Sequence, residues 1–268
     1  MHLIIYILEQ IHKELYKSVN NNKSTNIHQS LNQYDQQISF NYFFNNFLKQ
    51  CSKISDIFFG ITETTNECIN CKNYYNAQGL NNPILYNYQI FKCLIFPLEE
   101  IKNMKNNYLQ NNNNIQINQN IIVTIYECFN YNQKPKLFWG KNQNYCNNCK
   151  KLYDSIYTSR IYSSPNVLVL IINRGKGNIY DIQLDFSETI VITQFVLKKD
   201  KPQMTYNLYG VITCIEQTGT IDYYIASCKS PIDNKWYRFN DENINPIINF
   251  QKEIIEFGAP YVLFYQKA

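Results

Sequence analysis

The sequence predicts an α+β fold, helical at the start and sheet-forming further on. Three observations carry that prediction. Apolar residues recur at helical spacing near the amino terminus, at Leu3, Ile4, Ile7, Leu8, Ile11 and Leu15, and again at Phe40, Phe43, Phe44, Phe47, Leu48 and Cys51. From Ile161 onward the pattern changes to continuous or alternating apolar runs, the signature of strands. Between these regions lie Cys68-x-x-Cys71 and Cys146-x-x-Cys149, two tight pairs suited to the turns of metal-binding hairpins.

At 268 residues the chain is long enough to bury a sizeable core, and 45% hydrophobic with 15% aromatic residues excludes a disordered class. The net charge of +4 is mild and comes from scattered lysines, so no nucleic-acid partner is expected. The apolar run from Leu3 to Leu8 is too short for a membrane span or a signal-peptide core, and no other stretch approaches that length. The expected setting is therefore intracellular, cytoplasm or nucleus, with no membrane partner. Nine cysteines, an odd count that includes two C-x-x-C pairs, fit metal binding in a reducing compartment better than a disulfide framework.

Taken in order, the first apolar stripe alternates with Glu9, Lys13, Glu14 and Lys17, which predicts an amphipathic helix with a core-facing stripe. His12 on it reads as a surface or boundary residue. Val19 to Gln37 is rich in Asn, Ser and Gln and reads as a loop or disordered insert. The phenylalanine-rich run is a second helix, with Cys51 a buried small apolar residue. Tyr86 to Leu98 is a strand candidate ending at Pro97, and Asn103 to Asn120 a mobile Asn-rich loop. Cys93 and Cys128 lie in strand-like runs and are expected in the core. Val167 to Ile172 is continuously apolar, as a central strand is, and Ile182, Leu184 and Phe186 alternate as a half-buried one does. Tyr209 to Asp241 reads as two strands joined by a loop and closed by a hairpin anchored on Trp236. The last strand, Phe257 to Tyr265, is expected to be buried beside the strand containing Tyr224.

Zinc needs four soft donors at tetrahedral angles, and each C-x-x-C supplies two thiolates from one turn. Cys68, Cys71, Cys146 and Cys149 are therefore the candidate ligands of a structural zinc. A degenerate finger that has kept its cysteines without metal is the alternative. A redox pair fits less well, because neither pair precedes a clear helix in a thioredoxin-like pattern.

Several stretches resemble the ubiquitin-specific proteases, a papain-like family of deubiquitinating enzymes. Ser55 to Gly60 resembles the segment that leads into the family's first cysteine pair. Gly140, Asn142 and Tyr145 resemble the lead-in to the second, and Pro165 to Arg174 resembles a palm strand. Ala259 to Tyr265 resembles the closing A-Y-x-L-F-Y strand. The block Tyr209–Asp241 resembles V-x-x-H-x-G, G-H-Y-x-A and W-Y-x-F-(D/N)-D, the family's histidine and Asp/Asn motifs. Tyr224, Ala226, Trp236, Tyr237, Phe239, Asn240 and Asp241 match it. Cys214, Glu216, Asp222 and Tyr223 depart from it, and Tyr223 stands where the family has its catalytic histidine.

The resemblance implies a ubiquitin-specific protease fold with a partial helical thumb over 1–60, zinc-knuckle β fingers over 61–160 and an antiparallel β palm over 161–268. It implies Tyr223, Asn240 and Asp241 as the catalytic positions, with Tyr223 non-functional. A phenol, which ionises near pH 10, is a poor base at neutral pH. His2, His12 and His28 all lie near the start of the chain, and the family's nucleophile box, G-L-x-N-x-G-N-T-C-Y-x-N-S, is not in these residues. Cys214 or Cys228 as a substitute nucleophile has no base in sight. The expectation is a catalytically inactive relative that recognises ubiquitin or ubiquitinated proteins. The alternatives are part of an active cysteine-type deubiquitinase cleaving ubiquitin isopeptide bonds, and a zinc-stabilised scaffold without ubiquitin affinity.

Overall fold

The computed structural model describes residues 2–15, 33–49, 51–113, 121–175, 182–215, 223–255 and 258–268. Three helices come first: α1 (His2–Leu15), α2 (Gln36–Leu48) and α3 (Lys53–Phe58). Local chemistry fixes where the second and third begin. The Asp35 carboxylate accepts from the Ile38 N–H at 2.9 Å and caps α2. Ser52 and Ser55 bond reciprocally, side chain to backbone, in a capping box that starts α3. Gln36 and Gln37 thus open a helix instead of closing the polar insert, and 19–32 lies outside the described residues.

The stripe on α1 is not the single core-facing face that its spacing suggests. Ile4 and Ile5 pack on the sheet and Leu8 is buried, whereas Leu3, Ile7, Ile11 and Leu15 form an i, i+4 ridge that stays exposed. Cys51 is half-buried, with its thiol 3.5 Å from the Phe47 carbonyl.

The middle of the chain builds two sheets at once. β1 (Gly60–Cys68) leads into α4 (Ile69–Ala77), followed by β2 (Ile84–Phe91) and β3 (Leu94–Pro97). The single strand expected over Tyr86–Leu98 is therefore two, and they part company. β2 pairs with β1, whereas β3 joins the other sheet. Cys93 falls between them and is half-buried. Next come α5 (Leu98–Asn113), β4 (Ile121–Thr124) and α6 (Ile125–Asn132). The mobile loop expected from Asn103 is helix as far as Asn113. Asparagine is a poor helix former, but Leu98 and Ile101 are buried against the core and Lys105 reaches Glu127 at 2.8 Å. Tertiary contacts outweigh propensity here. Cys128 is fully buried as expected, but on α6 and not on a strand.

β5 (Lys136–Phe138), β6 (Asn144–Cys146) and β7 (Lys151–Tyr153) are short and precede β8 (Ser155–Ser163) and β9 (Val167–Asn173). Then follow β10 (Ile182–Asp185), β11 (Thr189–Val191), β12 (Thr205–Ile215), β13 (Tyr223–Lys229), β14 (Trp236–Asn240), β15 (Asn243–Ile247) and β16 (Ala259–Lys267). The first sheet is antiparallel in the order β2-β1-β8-β5. The second runs β15-β14-β13-β12-β16-β9-β3, with β11 beside β12, and only the β3–β9 pair within it is parallel. β16 lies between β12 and β9, so the strand carrying Tyr224 is one strand further away than expected.

The core sits on both faces of the larger sheet. Leu168, Leu170, Ile172, Leu263 and Tyr265 face α5, α6 and the β4–β10 pair, while Val169, Ile171 and Val262 face α1 and α3. β9 is covered on both sides, which is why Val167–Ile172 is apolar without alternation. Among the described residues, no helix is long and apolar enough to cross a membrane.

Candidate functional site

Two places in the fold gather the residues that the sequence singled out. The first is a cysteine cluster at one end of the four-stranded sheet. Cys68 ends β1 and is the N-cap of α4, which puts Cys71 in the first turn of that helix. Cys146 ends β6, and the turn into β7 passes through Lys150 at φ 58° to place Cys149 beneath it. The sheet then brings the two turns together. Cys68 pairs with Ser155 across β1 and β8, and the Ile69 N–H donates to the Asp154 carbonyl at 3.0 Å.

As a result the four Sγ atoms lie within 4.8 Å of one another, with separations of 3.3 Å for Cys71–Cys149, 3.6 Å for Cys71–Cys146 and 4.0 Å for Cys68–Cys149. Tetrahedral zinc with bonds of about 2.3 Å sets its sulfurs roughly 3.8 Å apart. None of the four thiols is in a disulfide, and among the described residues the cluster holds these four donors. The donor set thus fits a closed, structural zinc site. A helix does follow Cys68, contrary to the expectation. The redox reading is weakened instead by the opposed pair, because Cys71 lies against Cys146 and Cys149 in one four-sulfur cluster.

Burial pushes the Cys68 thiol up and the Cys71 thiol up to about 12. At Cys146 burial acts the same way, but the Cys149 N–H, with further donors, brings that thiol below its ordinary value.

The second place is one end of the eight-stranded sheet. Tyr223 opens β13 opposite Ile215, and Tyr224 pairs with Cys214. Glu216 and Asp222 lie outside the described residues. Asn240 ends β14 and pairs with Asn243 around a two-residue turn, in which Asp241 takes the left-handed φ of 51°. Because β13 and β14 are antiparallel, Tyr223, Asn240 and Asp241 stand at the same end of the sheet. Tyr223 and Asn240 are half-buried and Asp241 is exposed. Tyr224 is 54% exposed, with its ring 5.5 Å from that of Tyr261 on β16. Trp236 anchors the hairpin: its ring is buried and its Nε1 donates to Glu188 at 3.1 Å. Cys214 is buried, whereas Cys228 is exposed opposite Gly210.

His12 lies on the N-terminal helix. It is a boundary residue, half-buried, with Nδ1 2.6 Å from Ser52 Oγ and its ring 5.0 Å from that of Phe59. His28 lies outside the described residues.

The family described as "Ubiquitin carboxyl-terminal hydrolase" matches residues 2–265. This chain belongs to that family. Ubiquitin carboxyl-terminal hydrolase 4 of Pongo abelii is 30% identical over 129 residues, 46% of this chain and 13% of that protein. A chain of the yeast SAGA DUB module with an Sgf73 mutant superposes with a TM-score of 0.63 at 21% identity, covering 98% of this chain and 49% of its own. A chain of the SAGA Ubp8/Sgf11/Sus1/Sgf73 DUB module bound to ubiquitin aldehyde gives 0.57 at 21% identity, covering 87% and 48%. These likenesses establish the papain-like ubiquitin-specific protease fold. The chain spans about half the length of those structures and a smaller part of the curated relative.

Two buried polar groups in this member of the family lie outside the candidate sites read from the sequence. Arg174 is buried, donating through Nε to the Pro260 carbonyl at 3.2 Å and through Nη1 to the Ile182 carbonyl at 2.7 Å. It ties together the segments that flank the Tyr223 end of the sheet, and only its match to a family arginine marked it beforehand. Glu63 is 4% exposed and accepts from Tyr88 Oη at 2.5 Å and Gln36 Nε2 at 2.7 Å. Nothing in the run ITETTNE distinguishes this carboxylate from that of Glu67, which is only half-buried, since its donors come from β2 and α2.

Proposed function

We propose that this chain is a ubiquitin-recognising member of the family that does not cleave ubiquitin. On this reading the three N-terminal helices are a partial thumb, the four-stranded sheet with its cysteine cluster is the fingers, and the eight-stranded sheet is the palm. Residues 94–113 and 121–132, although earlier in sequence than the palm, pack with it in space. Tyr223, Asn240 and Asp241 are the positions of a catalytic histidine and its Asp/Asn partners.

The observation that carries the reading is Tyr223. A cysteine protease needs an imidazole that takes the thiol proton and returns it to the leaving amine, oriented by a carboxylate or amide. At the head of β13 this chain has a phenol, and β12 to β16 contain no histidine at all. Asn240 and Asp241 keep their place at the hairpin turn with no ring to orient. The recognition half of the proposal is supported by what is retained. Both sheets and the aromatic pair Tyr224–Tyr261 are in place, and structural neighbours have been solved with ubiquitin aldehyde and with monoubiquitin bound.

A second reading, that the chain is part of a longer active cysteine-type deubiquitinase, has one observation in its favour. The ridge Leu3, Ile7, Ile11 and Leu15 is exposed on α1, as it would be if further polypeptide covered it. Tyr223 argues against it.

The test is a titration of isotope-labelled ubiquitin with the zinc-loaded chain, run beside a fluorogenic ubiquitin amide. Shifts on ubiquitin's hydrophobic face and C-terminal tail, without release of the fluorophore, are expected. Turnover above the buffer rate would overturn the inactive reading. An unperturbed ubiquitin spectrum at high protein concentration would leave a zinc-stabilised scaffold.

A further inference from the structure

Both cysteine pairs have the same third residue. They read Cys68-Ile69-Asn70-Cys71 and Cys146-Asn147-Asn148-Cys149, each with asparagine directly before the second cysteine. In the fold each of these asparagines reaches across to the other pair. Asn70 Nδ2 lies 3.3 Å from Cys149 Sγ, and Asn148 Nδ2 lies 3.4 Å from Cys71 Sγ. The exchange is reciprocal: an amide from the first turn meets a sulfur of the second, and the reverse. We propose that Asn70 and Asn148 are positioning residues of the metal centre, paired amide donors that each hold a thiolate of the opposite turn and so raise zinc retention.

The inference rests on the zinc reading of the four cysteines and adds to it. Four thiolates around one divalent cation carry a net charge of about −2. An N–H donor aimed at a thiolate spreads part of that charge and fixes the direction of the sulfur lone pairs, as outer hydrogen bonds do at metal sites generally. Here the donors also couple two pieces of structure. Because each bond crosses between the turns, neither can form until α4 and the β6–β7 turn have come together, so the amides favour the closed cluster over a half-assembled one. Cys146 receives its donor from the backbone, the Cys149 N–H at 3.4 Å. Asn147 supplies the internal contrast. It is a third exposed asparagine, inside the same turn, and among the described residues it donates to no sulfur.

The experiment uses the full chain with zinc, and with cobalt(II) as a spectroscopic stand-in. Asn70→Ala and Asn148→Ala are each expected to weaken zinc retention against a competing chelator about tenfold, the lower end of the range for outer-shell partners. Asn70→Asp and Asn148→Asp, which place an acceptor-only charge beside a thiolate, are expected to weaken it further. Asn147→Ala should match the parent. In the cobalt form, loss of either amide should move the sulfur-to-cobalt charge-transfer band to longer wavelength, because an unbonded thiolate is the better electron donor. That shift reports on the bond itself, even if a variant folds less well. A parent protein with no tetrahedral thiolate–cobalt spectrum would overturn the zinc reading. A parent with that spectrum, and alanine variants with unchanged retention and an unmoved band, would overturn this proposal alone.

Discussion

At the scale of single residues, specific polar contacts hold α1 to the rest of the fold. His12 meets Ser52 Oγ and the Phe59 ring, and Lys92 both pairs with Glu9 at 2.6 Å and lies over Phe59, 5.5 Å from the ring centroid. Burial, and then the Lys92 charge, hold the His12 imidazole below its ordinary titration range. The sign of the consequence follows. With the folded value below the unfolded one, the neutral ring is favoured on folding and unfolding takes up a proton. The contribution is intact above the unfolded value of about 6.5 and is lost as pH falls through the folded value. Stability measured by denaturant should therefore drop between neutral and mildly acidic pH more steeply in the parent than in His12→Gln. Parallel profiles for the two proteins would mean that His12 carries no such linkage.

At the scale of elements, α6 is the clearest case of local chemistry serving the core. Thr124 and Glu127 form a capping box, with the Thr124 N–H donating to Glu127 at 2.8 Å and the Glu127 N–H to Thr124 Oγ1 at 3.2 Å. Lys105 from α5 joins the same carboxylate at 2.8 Å. The box fixes where β4 stops and the helix starts, and so which residues point inward. Ile125, Cys128 and Phe129 are all buried, and the Phe129 ring lies against Phe96 and Phe195. Thr124→Ala removes the cap and is expected to cost about 1 kcal/mol in urea unfolding, whereas Thr124→Ser should recover most of it. No loss in the alanine variant would show that packing alone sets the start of α6. The same logic explains α5. Its asparagines carry little helix propensity, but Glu99 and Glu100 in the first turn suit the helix dipole, and its apolar residues have a core to meet.

At the scale of the whole molecule, the two sheets are stabilised differently. The eight-stranded sheet has apolar packing on both faces. The far end of the four-stranded sheet is short of it: Leu137, Trp139, Tyr145 and Leu152 are all exposed around the cysteine cluster. A metal is the natural substitute for a core in such a region. Chelation should therefore melt this end first. Amide exchange is expected to rise across β5–β7 and α4 while β9, β12 and β16 stay protected, and the thermal midpoint should fall. Uniform exchange before and after chelation would mean that the four cysteines do not depend on metal for their order.

Some of this was open to reading in the residues alone. The unbroken run Val167–Ile172 identified the central strand, because a strand covered on both faces has no reason to alternate. Four cysteines in two tight pairs identified the metal ligands, because thiolate spacing is set by the metal's chemistry. The proposal that Tyr223 occupies the position of a catalytic histidine rests on the resemblance of the block Tyr209–Asp241 to the family's motifs. Tertiary structure decided the rest. The split of Tyr86–Leu98 between two sheets turns on β3 finding β9, a partner some seventy residues away. The exposed ridge of α1 has the same period as a buried one, and only the sheet beneath determines which side is covered. The carbonyls that Arg174 meets and the donors that surround Glu63 come from distant segments, as do the amides that cross between the two cysteine turns. Spacing along the chain encodes periodicity and ligand type. It carries no record of which surfaces meet, and burial and long-range hydrogen bonding are properties of that meeting.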